Sequence, residues 1–354
     1  MSVEQAEPSL TSNKQLALKL SQLTCFEQLT VDNIHVIYAG LSQPCFQVDD
    51  KNSRYFAKYI NDNHVEAQAS QLAAIYGIYP KIFYTDHHWL ITEFKVGEGL
   101  DKGKRSEEEN LTITLRLLAQ CHHVTIASAG YPKEIPLDTA RTQQEQAQAL
   151  RLPALDVVGT VKQLLQTIEI SDSQAHVLQQ LCELLRQNLM NATEQVADLQ
   201  QVFCHGDANF SNVFALENTM VADDAKGYLL IDFECACIAP REYDVAMLMA
   251  VNGISLSNIE IMHRLYLQAF IEINPQKNSL EVVDNTPEII HYNAELSLVL
   301  VMRYYDLSLL INGLWYMSQY QCRQKLKYKT MAYKQLMLLE KRYPELHTLL
   351  SQMR

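Results

Sequence analysis

The chain has 354 residues, of which 48% are hydrophobic and 20% charged, as expected for a globular protein with a substantial core. Its formal net charge of −12 disfavours a nucleic-acid partner, which would need a basic surface, and suits a cationic small molecule. No apolar stretch reaches the length of a membrane span, and the first ten residues lack the apolar segment of a signal peptide. The eight cysteines form no paired metal-binding motif, so we expect a cytoplasmic protein with reduced thiols.

The first quarter of the chain predicts a small antiparallel sheet. One helix is expected near residues 14–23, and a second helix carries Glu66 in its first turn and ends at about Tyr76. Short apolar segments bounded by turn residues predict five strands, at 36–38, 45–48, 54–60, 77–84 and 89–94.

The pattern of the remaining chain is mainly helical. Apolar residues recur at helical spacing at 107–127, 161–165, 177–189 and 295–319, and an amphipathic helix pair is expected from Lys325 onward. His122, on an apolar helix face, is interpreted as a hydrogen-bonded core residue. His64 is interpreted as a helix-start residue, and His87-His88 as a surface turn in preference to a metal site.

The residues that indicate a particular reaction lie in two motifs about twenty residues apart. Residues 203–212 are Phe-Cys-His-Gly-Asp-Ala-Asn-Phe-Ser-Asn, and residues 231–234 are Ile-Asp-Phe-Glu. A loop followed by two antiparallel strands, 213–216 and 228–231, is expected to bring Asp207, Asn212 and Asp232 together at one end. Phosphoryl transfer needs such a set, because one carboxylate orients the attacking hydroxyl while an amide and a second carboxylate hold magnesium on the phosphates.

These motifs resemble those of the aminoglycoside phosphotransferase and choline kinase superfamily, the small-molecule relatives of protein kinases. The matching protein-kinase sequences are H-R-D-x-x-x-x-N and D-F-G. Here Gly206 replaces the Arg, and Glu234 follows Asp232-Phe233 in place of Gly. The resemblance covers about residues 35–320, and it implies an enzyme that uses ATP and Mg²⁺ to phosphorylate a hydroxyl group of a small molecule.

The resemblance also implies an α+β, bilobal, protein-kinase-like fold. A small nucleotide-binding lobe, residues 1–95, would be built on the antiparallel sheet. A larger, mainly helical lobe, residues 96–354, would carry the catalytic loop and the substrate site, with ATP and Mg²⁺ bound between the lobes. Residues 138–200 would form the helical insert that the family places before the catalytic loop.

The family assigns chemical roles to three residues of the two motifs. Asp207 is the expected catalytic base or orienting carboxylate, and Asn212 and Asp232 are the expected magnesium ligands. The family also places an aspartate like Asp244 at a helix start, where it braces the catalytic loop. A helix N-cap would explain Asp244 equally well, and that is the role we favour from the sequence.

Nucleotide binding is assigned by the same resemblance to the N-terminal segments. Lys58, in an apolar strand, would hold the phosphates and pair with Glu66. Glu66 has a local alternative, because Asn63 and Glu66 also have the spacing of a capping box. The turn that contains Ser42 and Gln43 would lie over the phosphates, and backbone groups from Glu93 to Val96 would bind adenine.

Substrate recognition is the least determined part. Residues 312–315, Asn-Gly-Leu-Trp, resemble the W-G-L-W of choline kinases with the first Trp replaced. Trp315, with Tyr304 three turns earlier on the same face, and Glu234 are therefore candidates for binding an ammonium group. The alternative is that this aromatic stripe is part of the core. Cys235 departs from the Tyr that the family usually has there.

Three hypotheses on function follow. The first is a kinase for an amino alcohol such as choline or ethanolamine. The second is the same chemistry on thiamine, an aminoglycoside or a sugar. The third is a catalytically inactive binding protein on this scaffold, which is disfavoured because Lys58, Asp207, Asn212 and Asp232 are all present. The oligomeric state and the identity of the substrate do not follow from the sequence.

Overall fold

The computed structural model describes residues 10–38, 43–124, 152–196, 199–217, 227–273 and 295–347. The chain divides into two compact units. In the first unit, the structure describes residues 10–38, 43–102, 152–153, 212–217 and 227–236. The second unit comprises Gly103–Val124, Ala154–Ser211 and the described residues from Cys237 onward. The predicted lobe boundary at residue 95 stays a prediction.

A five-stranded antiparallel sheet forms the framework of the first unit, in the order β1-β2-β3-β5-β4. Its strands are β1 (Ile34–Ile37), β2 (Cys45–Asp50), β3 (Ser53–Tyr59), β4 (Ile82–Thr85) and β5 (Trp89–Glu93). All five predicted strands are present. The fourth is shorter than predicted because residues 77 and 78 end a helix: Gly77 has a φ of 73°, and the amide of Ile78 donates to the carbonyl of Ala73.

Among the described residues, two helices and a second sheet complete the first unit. The helices are α1 (Leu10–Ser21) and α2 (His64–Ile75). α1 covers one face of the large sheet, where Leu20 and Phe26 join Phe46, Val48 and Ile91 in a buried cluster. The second sheet has three strands in the order β6-β8-β9, and comprises β6 (Gly97–Gly99), β8 (Val213–Leu216) and β9 (Tyr228–Leu230). The predicted hairpin of 213–216 with 228–231 is therefore confirmed.

The second unit is mainly helical, as predicted. Its helices are α3 (Glu107–His122), α4 (Val157–Thr167), α5 (Asp172–Thr193), α6 (Arg241–Val251), α7 (Ile259–Ile273), α8 (Leu298–Arg323) and α9 (Leu326–Glu340). A two-stranded antiparallel sheet joins β7 (Gln201–Cys204) to β10 (Cys237–Pro240). The long helix α8 is central, because α4, α5, α6 and α9 all pack against it.

Two helix predictions need correction. The first predicted helix of the second unit extends to about residue 127, whereas α3 ends at His122, where the amide of His123 caps the last turn. In the tail, α9 is followed within the described residues by a 3₁₀ turn at Pro344–Leu346, because a proline cannot continue the helix. None of the helices that the structure describes combines the length and the apolar character needed to cross a membrane.

Candidate active site

The β8–β9 hairpin brings Asn212 and Asp232 together, as predicted. Asn212 comes directly before β8, and Asp232 follows β9 by one residue. The strands pair with Val213 opposite Leu230, and the amide of Ile231 donates to the carbonyl of Asn212 over 2.9 Å. Two residues that are far apart in sequence therefore lie at the same end of one hairpin.

Asp232 has an unusual backbone conformation. Its φ and ψ are 67° and 61°, in the left-handed region that few residues other than glycine adopt. The next residue, Phe233, is fully buried and packs edge-on against Tyr79, with 5.8 Å between the ring centroids. The buried ring holds the turn in place. Such strain is kept where the surrounding structure requires it, often at functional sites.

The carboxylate of Asp232 contacts the strand lysine that the sequence singled out. Lys58 Nζ lies 2.6 Å from Asp232 Oδ1 and also forms an ion pair with Glu66 Oε1. Lys58 and Glu66 are buried, whereas Asp232 is partly accessible. The predicted pairing of Lys58 with Glu66 is thus present, and Asp232 joins it.

Opposing electrostatic effects act within this cluster. Burial opposes the charge of Lys58, but the carboxylates of Asp232 and Glu66 outweigh it and raise the pKa of the lysine, which stays a cation. Burial is the largest effect on Glu66 and raises the pKa of its carboxyl, against the lowering influence of Lys58. The cluster therefore holds one firmly positive group between two acids.

The two alternatives for Glu66 are resolved by its contacts. The Asn63 side chain accepts a hydrogen bond from the Glu66 amide over 3.2 Å, so Asn63 caps α2. The Glu66 carboxylate, however, turns to Lys58 instead of returning to the cap. Only half of the capping box forms, because the buried ion pair takes the carboxylate.

The acidic residues of this cluster fit a magnesium ion. Glu66, Asp232 and Glu234 each offer a carboxylate oxygen, and these atoms lie within 4.8 Å of one another. Glu66 Oε2 is buried and has no hydrogen-bond partner among the described residues. Oxygen ligands and a concentration of negative charge are what Mg²⁺ requires. Glu234, predicted as a substrate contact, therefore lies beside a predicted metal ligand.

Asp207 lies in the loop that follows β7. Gly206 has a φ of 79°, which explains why glycine stands where protein kinases have arginine. The Asp207 amide donates to His205 Nδ1 over 3.2 Å, and the Asp207 carbonyl accepts from the Asn209 amide over 2.8 Å. The loop is thus shaped by hydrogen bonds of the Asp207 backbone.

Asp244 braces this loop from α6. Its two carboxylate oxygens accept hydrogen bonds from the amides of His205 and Gly206, each over 2.8 Å. The N-cap role is wrong, because α6 begins three residues earlier and its N-cap is Pro240. Arg241 and Glu242 form the first turn of this helix, and both are buried.

His122 supports Asp244 from the other side. Its Nε2 lies 3.1 Å from Asp244 Oδ2, and its Nδ1 lies 2.7 Å from the hydroxyl oxygen of Tyr266. Burial opposes the charge of Asp244, but the hydrogen bond and charge of His122 and the amide of Gly206 hold the pKa of this carboxyl below its usual range. His122 is a hydrogen-bonded core residue, as predicted.

A residue that sequence reasoning missed lies near Asp207. Burial, together with the negative charge of Asp207 and the neighbouring Tyr328, raises the pKa of Tyr316 to about 12. Tyr316 is buried in α8, directly after the predicted Trp315.

The two aromatic candidates for the substrate lie in different environments. Tyr304 is buried and packs edge-on against Tyr243. Trp315 is 36% exposed, and its ring is edge-on to Tyr316 and Tyr328, with centroid distances of 5.1 and 6.4 Å. Tyr304 thus agrees with the interpretation of the stripe as core, whereas Trp315 remains accessible.

The remaining residues predicted to bind the nucleotide lie before β2 and at the end of β5. Ser42 lies outside the described residues, and Gln43, just beyond it, is half-buried. Glu93 ends β5; its amide donates to the Lys81 carbonyl, and its carboxylate accepts from the Lys81 amide and pairs with Lys95. The amide of Phe94 donates to the Arg54 carbonyl. Within the predicted stretch, the backbone of Lys95 and the amide of Val96 make no hydrogen bond to the described residues.

Comparison with known proteins bears directly on this arrangement. The sequence profile of the phosphotransferase enzyme family matches residues 33–259. The chain belongs to this family. The phosphotransferase matches none of the curated proteins.

Solved structures share the fold of the phosphotransferase at low sequence identity. An ethanolamine kinase of Plasmodium vivax is 16% identical, with a TM-score of 0.58 over 96% of each chain. A choline kinase of Cryptosporidium parvum is 15% identical, with a TM-score of 0.59 over 90% of this chain and 91% of the other. A spectinomycin phosphotransferase in complex with ADP and spectinomycin is 14% identical, with a TM-score of 0.52 over 90% and 93%. The predicted α+β, kinase-like fold is confirmed, and the chain is a small-molecule kinase.

Proposed function

We propose that the phosphotransferase uses Mg²⁺ and ATP to phosphorylate the hydroxyl group of a small amino alcohol, such as choline or ethanolamine. The observation that carries the proposal is the cluster of Lys58, Glu66 and Asp232, with Asn212 beside it on the hairpin. A buried lysine held by two acids can bind phosphate oxygens, and oxygen ligands at the hairpin end suit the metal.

The first unit would provide nucleotide and metal binding. Lys58 would bind phosphate oxygens, with Glu66 holding the ammonium in place. Asp232 and Asn212 would hold Mg²⁺, with Glu234 as a further oxygen ligand or a substrate contact. The ion, when bound, neutralises charge on the transferring phosphoryl group. Within the stretch from Glu93 to Val96, the backbone of Lys95 and the amide of Val96 would make the expected contacts with adenine.

The second unit would provide the acceptor chemistry. Asp207 would accept a hydrogen bond from the substrate hydroxyl and orient it toward the γ-phosphorus. A bond forms between the hydroxyl oxygen and the γ-phosphorus, the bond from that phosphorus to the β–γ bridging oxygen breaks, and ADP leaves. The hydroxyl proton passes to the Asp207 carboxylate. Asp244 would keep the loop in shape without touching either substrate.

Three observations support a cationic acceptor. The chain carries a net charge of −12, and an accessible Trp315 lies beside Tyr316, whose pKa is raised by burial and by the negative charge of Asp207. A desolvated indole face can bind an ammonium group with about 2 kcal/mol. Two of the solved structures that share the fold are an ethanolamine kinase and a choline kinase by name.

An ATP-consumption screen tests the substrate class. Choline, ethanolamine, thiamine, spectinomycin and several sugars would be compared at equal concentration. We expect turnover on an amino alcohol to exceed that on every other compound. Turnover on thiamine, spectinomycin or a sugar alone would keep the chemistry and reject the amino-alcohol proposal.

A binding experiment tests the metal assignment independently of the acceptor. Thermal stabilisation by ATP should appear only when Mg²⁺ is added, because a ligand that binds the folded state raises its melting temperature. Asp232→Ala should abolish this Mg²⁺-dependent part, whereas Asp32→Asn, at an exposed position of the same unit, should keep it. Equal stabilisation of the wild type with and without Mg²⁺ would reject the metal assignment.

A further inference from the structure

A second group of ligand atoms lies outside the proposed active site. Asp62, His64 and His87 are exposed residues of the first unit, and one ligand atom from each lies within 4.8 Å of the others. We propose that these three side chains bind a divalent transition-metal ion, with Zn²⁺ as the best match. The site is distinct from the carboxylate group proposed for Mg²⁺.

The backbone holds the three residues in fixed positions. The amide of Asp62 donates to the His87 carbonyl over 2.7 Å, and the amide of Ile60 donates to the His88 carbonyl over 2.8 Å. These two hydrogen bonds join the segment before α2 to the turn between β4 and β5. The His64 and His87 rings already meet edge-on, with 5.3 Å between their centroids and 84° between their planes.

Each of the two segments is also held internally. In the β4–β5 turn, Asp86 Oδ1 accepts from the amides of His88 and Trp89, over 2.8 and 2.7 Å. At the start of α2, the amide of His64 donates to the Asp62 carbonyl over 2.9 Å. Only side-chain rotation is therefore needed to gather the ligand atoms around an ion.

The size of the required rotation is small. Ligand atoms at about 2.1 Å from a tetrahedral ion lie roughly 3.4 Å from one another. Closing separations of up to 4.8 Å to that value needs movements of about an ångström per side chain. Exposed side chains rotate that far without displacing any packed neighbour.

The ligand types select the class of metal. Two imidazoles and one carboxylate match the three-ligand zinc sites in which water takes the fourth position. Imidazole nitrogen favours Zn²⁺, Ni²⁺ and Cu²⁺, whereas Mg²⁺ favours oxygen. The proposed magnesium ligands are all oxygens, so the two groups would select different ions.

Backbone strain at this segment gives independent support. Asn61 and Asp62 have φ values of 44° and 63°, two consecutive residues in the left-handed region. Asn and Asp tolerate that region better than other residues, but two in succession are unusual. The conformation places the Asp62 side chain next to His64 and His87 instead of continuing the strand. Strained backbone of this kind is concentrated where side chains must be aimed.

The position of the site suggests what the ion would do. His64 is the first residue of α2, and Glu66 lies in the same first turn. An ion bound to His64 and His87 would fasten this turn to the β4–β5 turn. It would therefore restrain the helix end that carries the partner of Lys58.

Calorimetric titration of the untagged full-length chain with Zn²⁺ tests the proposal. The protein is first treated with a chelator, and the titration is done with Mg²⁺ in excess so that the oxygen site is saturated. We expect one Zn²⁺ site that His64→Ala and His87→Ala each weaken at least about tenfold, since loss of even an outer-shell partner costs 10–100-fold. Titration with more Mg²⁺ in place of Zn²⁺ should show no binding at this site.

His35→Ala is the matched control. His35 is an exposed histidine of the same unit, and its Nε2 lies 3.3 Å from Asp49 Oδ2, so it forms a histidine–aspartate pair without a second imidazole. This variant should bind Zn²⁺ as the wild type does. Zn²⁺ should also raise the melting temperature of the wild type and of His35→Ala, and leave that of His64→Ala unchanged.

Two results would overturn the proposal. One is the absence of Zn²⁺ binding to the wild type. The other is binding that His64→Ala and His87→Ala both leave intact, which would assign the ion to other ligands, such as the exposed thiols of Cys235 and Cys322. Neither readout involves kinase activity, so the outcome does not depend on the proposed substrate or on the catalytic roles.

Discussion

Lys58 Nζ lies 2.6 Å from Asp232 Oδ1, although 174 residues separate the two in sequence. The contact joins the centre of the large sheet to the end of the β8–β9 hairpin. In our account, the same two side chains bind the phosphates and the metal. Their direct ion pair keeps both oriented, and Glu66 holds the lysine from the opposite side.

The first prediction concerns Glu66→Gln. The amide keeps the size of the side chain but loses the charge that holds Lys58, and hydrogen bonds to charged groups contribute about 1.5–3 kcal/mol. We expect the KM for ATP to rise at least about tenfold. Steady-state kinetics with varied ATP measures the effect.

Glu27→Gln is the control for that experiment, because Glu27 pairs with Lys51 on the exposed surface of the same unit. Exposed pairs of this kind contribute little, so its KM for ATP should match that of the wild type. If Glu66→Gln lowers the melting temperature and leaves the KM for ATP unchanged, Glu66 has only a structural role.

A second prediction concerns the loop brace. Asp244→Asn replaces one acceptor oxygen with an NH₂ group, which leaves the amide of His205 or Gly206 without a partner in a buried site. We expect the free energy of unfolding to fall by about 3 kcal/mol. Urea denaturation measures it, and Asp32→Asn, an exposed aspartate, should stay within about 0.5 kcal/mol of the wild type. If the hydrogen bonds of Asp244 do not stabilise the protein, Asp244→Asn and Asp32→Asn will have the same free energy of unfolding.

The pH dependence of stability follows from the same residue. The folded protein holds the pKa of Asp244 below its usual value, so protons bind this group more tightly in the unfolded chain. The stabilisation is complete above the unfolded pKa of about 3.9, and it is lost as the pH falls through the lower, folded pKa. Urea denaturation from pH 5 down to acid should therefore show a shallower decline for Asp244→Asn than for the wild type. An equally steep decline of stability in the wild type and in Asp244→Asn would contradict a lowered pKa of Asp244 in the folded protein.

Substrate recognition is tested by Trp315→Leu. If the indole binds the ammonium group with about 2 kcal/mol, its loss should raise the KM of the amine about thirtyfold. The KM for ATP and the melting temperature should change little, since Trp315 is partly exposed. Tyr304→Leu, at a buried position, should instead lower the melting temperature. A large fall in the melting temperature of Trp315→Leu without a selective change in the amine KM would place Trp315 in the core.

Much of the fold could be predicted because local patterns determine it. The five strands and the hairpin that carries Asn212 and Asp232 follow from short apolar runs between turn residues. The pairing of Lys58 with Glu66 followed from the family resemblance. What the patterns could not give was the third member of that cluster, because the contact of Lys58 with Asp232 depends on how distant segments pack.

The wrong role of Asp244 and one unforeseen contact also depend on how the segments pack. Asp244 is predicted as an N-cap because aspartate is common at that position, whereas the helix begins three residues earlier, at Arg241, and its N-cap is Pro240. His64 begins α2 and His87 lies in the exposed β4–β5 turn, both as predicted, but with 22 residues between them the sequence does not indicate that their side chains meet. Backbone hydrogen bonds join the two segments, and the two rings are in contact.

The central claim, phosphoryl transfer to a small-molecule hydroxyl oriented by Asp207, is tested most directly by following the γ-phosphoryl group. ³¹P NMR of ATP, Mg²⁺ and ethanolamine or choline with the wild-type enzyme should show a phosphate ester forming as ADP appears. Asp207→Asn keeps the size of the side chain and should bind ATP normally, but it should form the ester about 10²–10⁴-fold more slowly. Ester formation by Asp207→Asn at the wild-type rate would contradict the account.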